Sequence, residues 1–418
     1  MAKKQYIITY SDLDTDVKAA STVMARAIST KASAVRDGIA AFAAAQPFDE
    51  YEKDVLVFEG IGCGTATLTD SQVKKLEDDP GVLAVEEDVE VHALSAAERY
   101  EDLDQHEPEE AQQQSDGGAA PAAASSPPFV LPTPWNVSMV KADRVWRRTR
   151  GHDVKVAIID TGIDDDHPDL SVYDGASFVS GVGYWNDDHG HGTHCAGIAG
   201  GRQSRGFIGV APACHLYAVK VLTGLGSGML SWVIAGMGWA RQNGMDVASM
   251  SLGIDVASEN APCSVAFQAA AQTLIDSGCI IVAAAGNAGR EVNHWVGQPA
   301  RCPGFMAVGS VDHRRQLSDF SSWGSSLGPQ SNVEIVAPGS RINSTRVGGG
   351  HRLMSGTSMA CPHVAGAAAL LKQLHPSWPP VRIRNRLNAT ATDLGAPGND
   401  PKYGNGLLDC EAAVFGPP

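Results

Sequence analysis

The 418-residue chain has no excess of basic residues, and cysteine is sparse. Lysine and arginine number 32 against 47 aspartates and glutamates, which gives a formal net charge of −15. A field of this sign repels polyanions, so we expect no nucleic-acid binding. The eight cysteines include no CxxC pair, which argues against a disulfide scaffold or a zinc motif. We expect most of them to be buried thiols.

Long apolar runs are also missing. The longest stretch of small apolar residues, Gly38 to Gln46, is far below the ~18 residues that cross a bilayer, so we expect no membrane span. Met1 is followed by Ala-Lys-Lys and the strand-like Gln5–Tyr10 rather than by the apolar core of a signal peptide. As written, the chain is expected in the cytoplasm. It would be extracellular if a signal had been removed from it.

Residues 1–94 alternate strand-like and helical stretches. The strand-like runs are Tyr6–Tyr10, Val55–Phe58 and Val82–Val85, and the helical ones are Val17–Ala45 and a segment that follows the N-cap pattern Thr69-Asp70-Ser71. This order predicts a small α+β domain.

Residues 95–131 have the composition of a linker. They hold eight acidic residues against the single Arg99, which is −7 of the chain's −15, and then an Ala/Pro/Ser-rich run up to Pro128. No core can form from such a segment, so the charge indicates a solvated tether rather than a recognition surface.

Residues 132–418 alternate continuous apolar runs with helical patterns. The predicted strands are Val154–Ile159, Leu216–Leu222, Asp246–Leu252, Cys279–Ala285 and Phe305–Val311, and the predicted helices include Leu230–Gln242, Ser264–Ser277 and Val364–Leu371. Continuous apolar strands are typical of sheets that are covered on both faces. The segment therefore predicts an α/β domain with a doubly wound, mostly parallel sheet.

The first motif that carries chemistry is Ile158-Ile159-Asp160-Thr161-Gly162. An aspartate that ends a buried strand, followed by a tight glycine turn, lies at the carboxyl edge of the sheet, where α/β sites form. Taken alone, Asp160 could equally cap a helix.

The second motif is the run from His189 to Gly197, His-Gly-His-Gly-Thr-His-Cys-Ala-Gly. His191 and His194 are spaced as on one face of a helix, which also suits a metal site. No aspartate or glutamate follows at helical spacing to complete such a site.

The third motif runs from Ser355 to Gly366 and delivers Ser358 to the start of an Ala-rich helix. A serine at a helix N-terminus has negative charge favoured by the helix dipole and the free N–H groups. Alone, it could be a simple N-cap.

Together, in the order Asp, His, Ser, the three motifs resemble those of the subtilisin-like serine peptidases, the subtilases. Further segments carry the likeness: Ala211-Pro212, Tyr217–Leu222, Met250–Gly253, Ala283–Asn287, Val336–Gly339 and Tyr403–Leu408. The resemblance spans Pro132–Pro418 and implies a serine endopeptidase that cuts extended polypeptides.

The resemblance also implies a role for each catalytic residue. Ser358 is the nucleophile, His191 takes its proton and Asp160 orients the imidazole. Alignment of the motif selects His191 over His189 and His194, which spacing alone could not do.

Asn287 matches the side chain that stabilises the oxyanion, with the Ser358 N–H as second donor. No cofactor is required for this chemistry.

Substrate recognition is implied to use backbone pairing along an extended peptide. The pairing segments are Ser251, Leu252 and Gly253 on one side and Gly226, Ser227 and Gly228 on the other, Gly297 is the floor of the first pocket, and Leu222, Leu230 and Leu252 line a second. We expect a preference for large apolar residues at P1.

The segment Glu86–Leu94 resembles the tail of subtilase propeptides. The resemblance makes residues 1–94 an inhibitor and folding chaperone within the same chain, removed by autocleavage between Leu94 and Ser95. The enzyme would then be a zymogen, which we expect to be a monomer. Alternatively, residues 1–94 form a permanent regulatory domain.

The family's calcium site would use Asp169 and the loop after the histidine helix. Here that loop, Gly200–Gly206, contains two arginines, which repel calcium. A structural calcium ion is thus only weakly supported. Cys263 and Cys302 fall in loops around the first pocket and would pair if the protein is exported.

Two other functions fit the same motifs. In a transpeptidase or macrocyclase an amine would resolve the acyl-enzyme, but no large lid insertion lies between His191 and Ser358 to exclude water. A non-catalytic peptide-binding module would not need the intact set of catalytic residues.

Overall fold

The computed structural model describes residues 3–31, 35–39, 55–94, 133–202, 209–324 and 332–417. The predicted linker, including Ser95, lies outside these residues.

The N-terminal domain packs helices against one sheet. Its described elements are β1 (Lys4–Tyr10), α1 (Val17–Ile28), β2 (Val35–Asp37), β3 (Val55–Phe58), β4 (Cys63–Leu68), α2 (Asp70–Glu77), β5 (Val82–Glu87) and β6 (Glu90–Ala93). The five-stranded sheet has the order β2-β3-β4-β1-β5, with β2 and β3 parallel and the other neighbours antiparallel.

The prediction of one helix over Val17–Ala45 was wrong. The helix ends at Ile28 because Ser29 adopts the left-handed conformation, with φ 60°, and its N–H closes the last turn. The chain then enters β2, and residues 40–54 lie outside the described part.

The larger domain is built on a seven-stranded sheet. Its strands are β7 (Lys155–Asp160), β8 (Val172–Ser177), β9 (His215–Lys220), β11 (Val247–Met250), β13 (Ile280–Ala284), β14 (Phe305–Val311) and β15 (Ile335–Pro338). All neighbours in the order β15-β14-β13-β11-β7-β9-β8 run parallel, which confirms the predicted parallel α/β sheet.

Helices cover both faces of this sheet. The described helices of the domain are α3 (Trp135–Met139), α4 (His191–Gly200), α5 (Leu230–Gln242), α6 (Val265–Asp276), α7 (Thr357–Leu374), α8 (Pro380–Ala389) and α9 (Cys410–Phe415). One hydrophobic cluster joins the sheet to α5 and α6, and a second joins its other face to α4 and α7. Apart from the edge strand β8, in which Tyr173 and Asp174 are exposed, the strands are therefore largely buried on both sides, as the predicted apolar runs indicate.

Helix α7 begins earlier than predicted. It starts at Thr357 and continues through Pro362, which lacks the N–H that would bond to the carbonyl of Ser358. That carbonyl instead accepts from the Ser251 hydroxyl at 2.9 Å and the Cys195 thiol at 3.4 Å. The proline is tolerated because other groups satisfy the freed carbonyl, and Ser358 thus becomes the second residue of the helix.

Strand β7 marks the point where the sheet reverses its order. The chain adds β8 and β9 on one side of β7 and then β11 and the later strands on the other. A crevice opens at the carboxyl ends of the strands at such a point, and β7 ends there with Asp160.

The two domains share a hydrophobic core. Ile7, Phe58 and Ile61 of the N-terminal domain belong to the same cluster as Ile234 of α5 and Phe267 of α6. Strand β6 extends from the small sheet into the larger domain between β10 (Ser227–Met229) and β12 (Leu252–Gly253).

Within the described part of the chain, no helix combines the length and apolar character needed to cross a bilayer.

Candidate active site

Asp160 and His191 form a buried hydrogen-bonded pair. The His191 Nδ1–H donates to Asp160 Oδ1 at 2.7 Å, and both side chains are 0 % exposed. Asp160 is the last residue of β7 and His191 the first of α4, so a strand end and a helix start supply the pair. This bond fixes the tautomer that leaves Nε2 as a base.

Two glycines let the strand end and the helix start approach each other. Gly190, just before α4, has φ 95°, which favours glycine. A Cβ on Gly192 would lie 2.2 Å from the Gly162 carbonyl oxygen. The Gly-His-Gly pattern is therefore a requirement of close packing.

His191 and His194 have different partners. His194 Nε2 donates to the carbonyl oxygens of Ile342 and Arg352, at 3.1 and 3.0 Å, and burial lowers the pKa of His194 to about 3. His194 therefore binds both strands of the antiparallel hairpin formed by β16 (Ile342–Thr345) and β17 (His351–Met354), whereas His191 binds Asp160.

Ser358 lies beside the end of the N-terminal domain. Its hydroxyl is 2.6 Å from the carbonyl oxygen of Leu94 and 2.9 Å from that of Ser251. Cys195, one turn after His191, reaches the Ser358 carbonyl, so α4 and α7 meet at this point. Among the described residues, no group forms a hydrogen bond with the buried His191 Nε2.

Asn287 is the second donor to the same carbonyl. Its Nδ2 donates to the Leu94 oxygen at 2.7 Å, while its Oδ1 accepts from the Thr357 N–H at 3.0 Å. The Thr357 bond fixes the direction of the amide, so the donor points at the carbonyl.

Backbone pairing holds the segment that precedes Leu94. Strand β6 pairs antiparallel with β10 and β12, so it forms the middle of a three-stranded sheet. The Ala93 N–H donates to the Gly226 carbonyl at 2.8 Å, and the Leu94 N–H donates to that of Ser251 at 3.1 Å. The structure thus places an extended peptide between the two predicted pairing segments.

Comparison with known families agrees with this geometry. Residues 151–406 match the model of the subtilase family, and residues 5–94 match that of peptidase inhibitor I9. The chain belongs to the subtilase family. The subtilase match covers more than half of the chain, and it confirms the resemblance inferred from the three motifs.

Individual subtilases are similar over most of the chain. Subtilisin E of Bacillus subtilis (strain 168) is 41 % identical over 361 residues, 85 % of this chain and 82 % of that protein. An alkaline protease of Shouchella clausii is 41 % identical over 369 residues, 88 % of this chain and 83 % of that protein. Subtilisin of Bacillus pumilus is 45 % identical over 285 residues, 67 % of this chain and 98 % of that protein.

The protein is therefore a subtilisin-like serine endopeptidase with an I9 propeptide. Its substrates are polypeptides, and the propeptide domain is an intramolecular inhibitor. In the structure, the end of that domain contacts Ser358 and Asn287, which is the geometry expected of such an inhibitor.

Of the residues predicted to bind substrate, Gly253 borders Leu94 and three leucines share a hydrophobic cluster with Val91, while Gly297 contacts another segment. A Cβ on Gly253 would lie 3.0 Å from Leu94 Cδ1, so this glycine borders the Leu94 side chain. A Cβ on Gly297 would lie 2.7 Å from the Ile254 carbonyl oxygen, so Gly297 packs against the neighbouring segment. Val91 is 0 % exposed and belongs to the same hydrophobic cluster as the three leucines predicted for the second pocket: Leu222, Leu230 and Leu252.

Two propeptide carboxylates bind helix N-termini of the enzyme domain, which the sequence analysis missed. Glu86 accepts from the N–H groups of Val265 and Ala266 at the start of α6, at 3.1 and 2.8 Å. Asp88 accepts from the N–H and hydroxyl of Ser231 at the start of α5, at 2.9 and 2.6 Å. Burial raises the pKa of Asp88 to about 6, although the bonds from Ser231 act in the opposite direction. The acidic run just before β6 could have indicated these contacts, because carboxylates are favoured at helix N-termini.

A disulfide links Cys263 and Cys302. The remaining six cysteines are buried thiols, as expected. Cys195 lies near Asp160 and His191, and the three could in principle hold a metal ion. The Cys195 thiol donates to the Ser358 carbonyl, and Asp160 Oδ1 is already bound to His191 Nδ1 at 2.7 Å. These contacts fit a hydrogen-bonded pair rather than a metal site.

The surroundings of Asp169 fit calcium poorly. Its buried carboxylate accepts from His351 Nε2 at 3.0 Å, and the Arg202 guanidinium donates to the neighbouring Leu170 carbonyl at 2.6 Å. Protein donors thus already use oxygens that calcium would need. Residues 203–208 of the predicted calcium loop lie outside the described part of the chain.

Proposed function

We propose that the chain is an autoprocessing zymogen whose catalytic residues are Asp160, His191, Ser358 and Asn287, and that it prefers large apolar residues at P1. The observation that carries this proposal is the position of the Leu94 carbonyl. Its oxygen accepts from the Asn287 amide and lies 2.6 Å from the Ser358 hydroxyl oxygen, so the nucleophile and an oxyanion donor both adjoin this carbonyl.

The reaction begins as the Ser358 oxygen attacks the Leu94 carbonyl carbon. The hydroxyl proton passes to His191 Nε2, and the oxyanion is held by Asn287 Nδ2. Asp160, bound to Nδ1, stabilises the imidazolium that forms. The bond between Leu94 and Ser95 then breaks as His191 returns the proton to the leaving amine. A water molecule, activated by the same imidazole, hydrolyses the ester.

Strand β6 supports the use of the same site for other polypeptides. Its pairing with β10 and β12 uses backbone groups, which any extended chain supplies. Selectivity then depends on the Leu94 and Val91 side chains, both apolar. We therefore propose that substrates are extended segments with apolar residues at P1 and P4.

We expect self-cleavage of the full chain to depend on the apolar side chain of Leu94. An Asp at this position would place a charge where Leu94 packs against the enzyme's hydrophobic cluster. Leu94→Asp should slow formation of the fragment that begins at Ser95 by at least ~10-fold, since losing apolar burial costs a few kcal/mol. An intact-mass time course measures this rate.

The matched control is His92→Asp, because the His92 side chain is exposed on the same strand. This variant should process like the wild type. A mature N-terminus other than Ser95, or equal rates for both variants, would overturn the assignment of Leu94 to P1. The masses of products from a test peptide also distinguish hydrolysis from transpeptidation, in which an added amine is retained.

We propose that no calcium ion at Asp169 stabilises the protein, since the hydrogen bond with His351 takes its place. Excess chelator should leave the thermal unfolding midpoint of the protein unchanged. His351→Ala should lower the free energy of unfolding by about 1–3 kcal/mol, because it leaves a buried carboxylate without this donor. A midpoint that falls on chelation and recovers with added calcium would contradict the proposal.

A further inference from the structure

The carboxylate of Asp187 lies behind the active site and accepts an unusual number of hydrogen bonds. It is 5 % exposed. Oδ1 accepts from the N–H groups of His189 and Gly190, at 2.9 and 2.8 Å, and from the Thr161 hydroxyl at 2.9 Å. Oδ2 accepts from the N–H and hydroxyl of Thr193, at 2.9 and 2.6 Å. One side chain thus binds the turn that leads into α4 and the first turn of the helix.

These bonds also keep Asp187 charged. Burial raises the pKa of Asp187, but the hydrogen bonds from Gly190, Thr193 and His189 outweigh this effect and leave the pKa below its ordinary value. The negative charge lies at the N-terminus of α4, where the helix dipole favours it.

Thr161 connects this carboxylate to the other half of the catalytic pair. Its hydroxyl donates to Asp187 and accepts from the Gly192 N–H at 2.9 Å. Its own N–H donates to Asp160 Oδ1 at 2.7 Å, the oxygen that also binds His191. Asp187 therefore binds the backbone around His191 directly, and it is linked to the backbone next to Asp160 through the Thr161 hydroxyl.

We propose that Asp187 is a positioning residue that sets the geometry between Asp160 and His191. The inference rests on the proposed roles of this pair and extends them, because Asp187 makes none of its hydrogen bonds to the peptide in the cleft. A displacement of about 1 Å in a reacting group costs on the order of 10²-fold in rate. The carboxylate acts by holding the imidazole in place before substrate binds.

The test is Asp187→Asn in the full chain. Asparagine has the same shape, but its NH₂ group would face donors, so at least one bond must break. We expect kcat on a peptide to fall about 10–100-fold, with KM within about twofold, because the change affects orientation and not the peptide-pairing strands. The downfield NMR resonance of the His191 Nδ1 proton should broaden or shift. Rates are divided by the concentration of sites that a fluorophosphonate titrates, so that unfolded protein is not counted.

Asp409→Asn is the matched control. Asp409 is also 5 % exposed and caps a helix, α9, by accepting from the Ala412 N–H at 2.9 Å, but it contacts none of the catalytic residues described above. This variant should lose stability and keep the wild-type kcat and NMR resonance. An equal loss of kcat in both variants would indicate that Asp187 only stabilises the helix N-terminus, and it would overturn the proposal.

Thr161→Val keeps the test decisive if Asp187→Asn does not fold. It removes only the hydroxyl that links Asp187 to the Asp160 turn, so it should lower kcat in the same direction without changing KM. Wild-type kcat and NMR resonance in this variant would overturn the proposal. If the wild type itself is not titrated by fluorophosphonate, the proposed function has failed rather than the role of Asp187.

Discussion

Replacing Ser358 with alanine should abolish self-cleavage and lower kcat on peptides by about 10⁶-fold, a loss of the size known for the corresponding change in subtilisin, a relative of this protein. The reason is that the acyl-enzyme forms through the Ser358 oxygen, which lies 2.6 Å from the Leu94 carbonyl oxygen. Without it, only binding, the Asn287 donor and the backbone N–H of residue 358 remain to assist attack by water. Intact-mass analysis measures self-cleavage and a steady-state peptide assay measures kcat, while a fluorophosphonate probe reports whether the reactive serine is present.

The control is Ser355→Ala, three residues earlier. The Ser355 hydroxyl accepts from the Arg341 N–H at 2.9 Å and takes no part in the proposed chemistry. This variant should process and react with the probe like the wild type. Processing of the Ser358→Ala chain at the wild-type rate would show that another nucleophile acts.

Asn287→Ala should lower kcat by about 10²–10³-fold with little change in KM, a magnitude again measured on subtilisin itself. The Asn287 amide lies 2.7 Å from the Leu94 oxygen, and its bond should strengthen as negative charge develops on that oxygen. Peptide pairing through β10 and β12 is unchanged by this substitution, so binding of the ground state should persist. Steady-state kinetics of the titrated enzyme separates kcat from KM.

Asn405→Ala serves as the comparison, since the Asn405 amide donates to the Glu334 carbonyl at 2.8 Å on another part of the domain. We expect its kcat to match that of the wild type. If Asn287→Ala raised KM and left kcat unchanged, Asn287 would bind substrate without stabilising the transition state.

The parallel sheet could be predicted because its signals are local, whereas the pairing of Asp160 with His191 was implied by the resemblance to the subtilases. Five of the seven strands were predicted from apolar runs, whereas β15, which is short, and β8, which contains Tyr173 and Asp174, were not. Each catalytic motif lies directly at the end of a strand or the start of a helix. Parallel topology then brings strand ends to one edge, so short motifs far apart in the sequence converge.

Other features could not be predicted because they depend on contacts between segments that are far apart in the sequence. Glu86 and Asp88 bind helices that begin more than a hundred residues later in the chain. The residue pattern of neither the acidic run nor the helices indicates that they are in contact. The antiparallel hairpin β16 (Ile342–Thr345) and β17 (His351–Met354) was also missed, because its strands are short. The start of α7 was misplaced since Pro362 normally breaks a helix, and only the contacts of the Ser358 carbonyl explain why it does not.

The hydrophobic core shared by the two domains bears on whether the mature enzyme is stable kinetically or thermodynamically. If the segment carrying Ile7, Phe58 and Ile61 is removed as proposed, the apolar faces of α5 and α6 that it covers become exposed to water. A chain that unfolds afterwards must refold without the apolar surface that these three residues supply. Its persistence is then governed by the height of the unfolding barrier, so a half-life at a given temperature describes it better than an equilibrium constant.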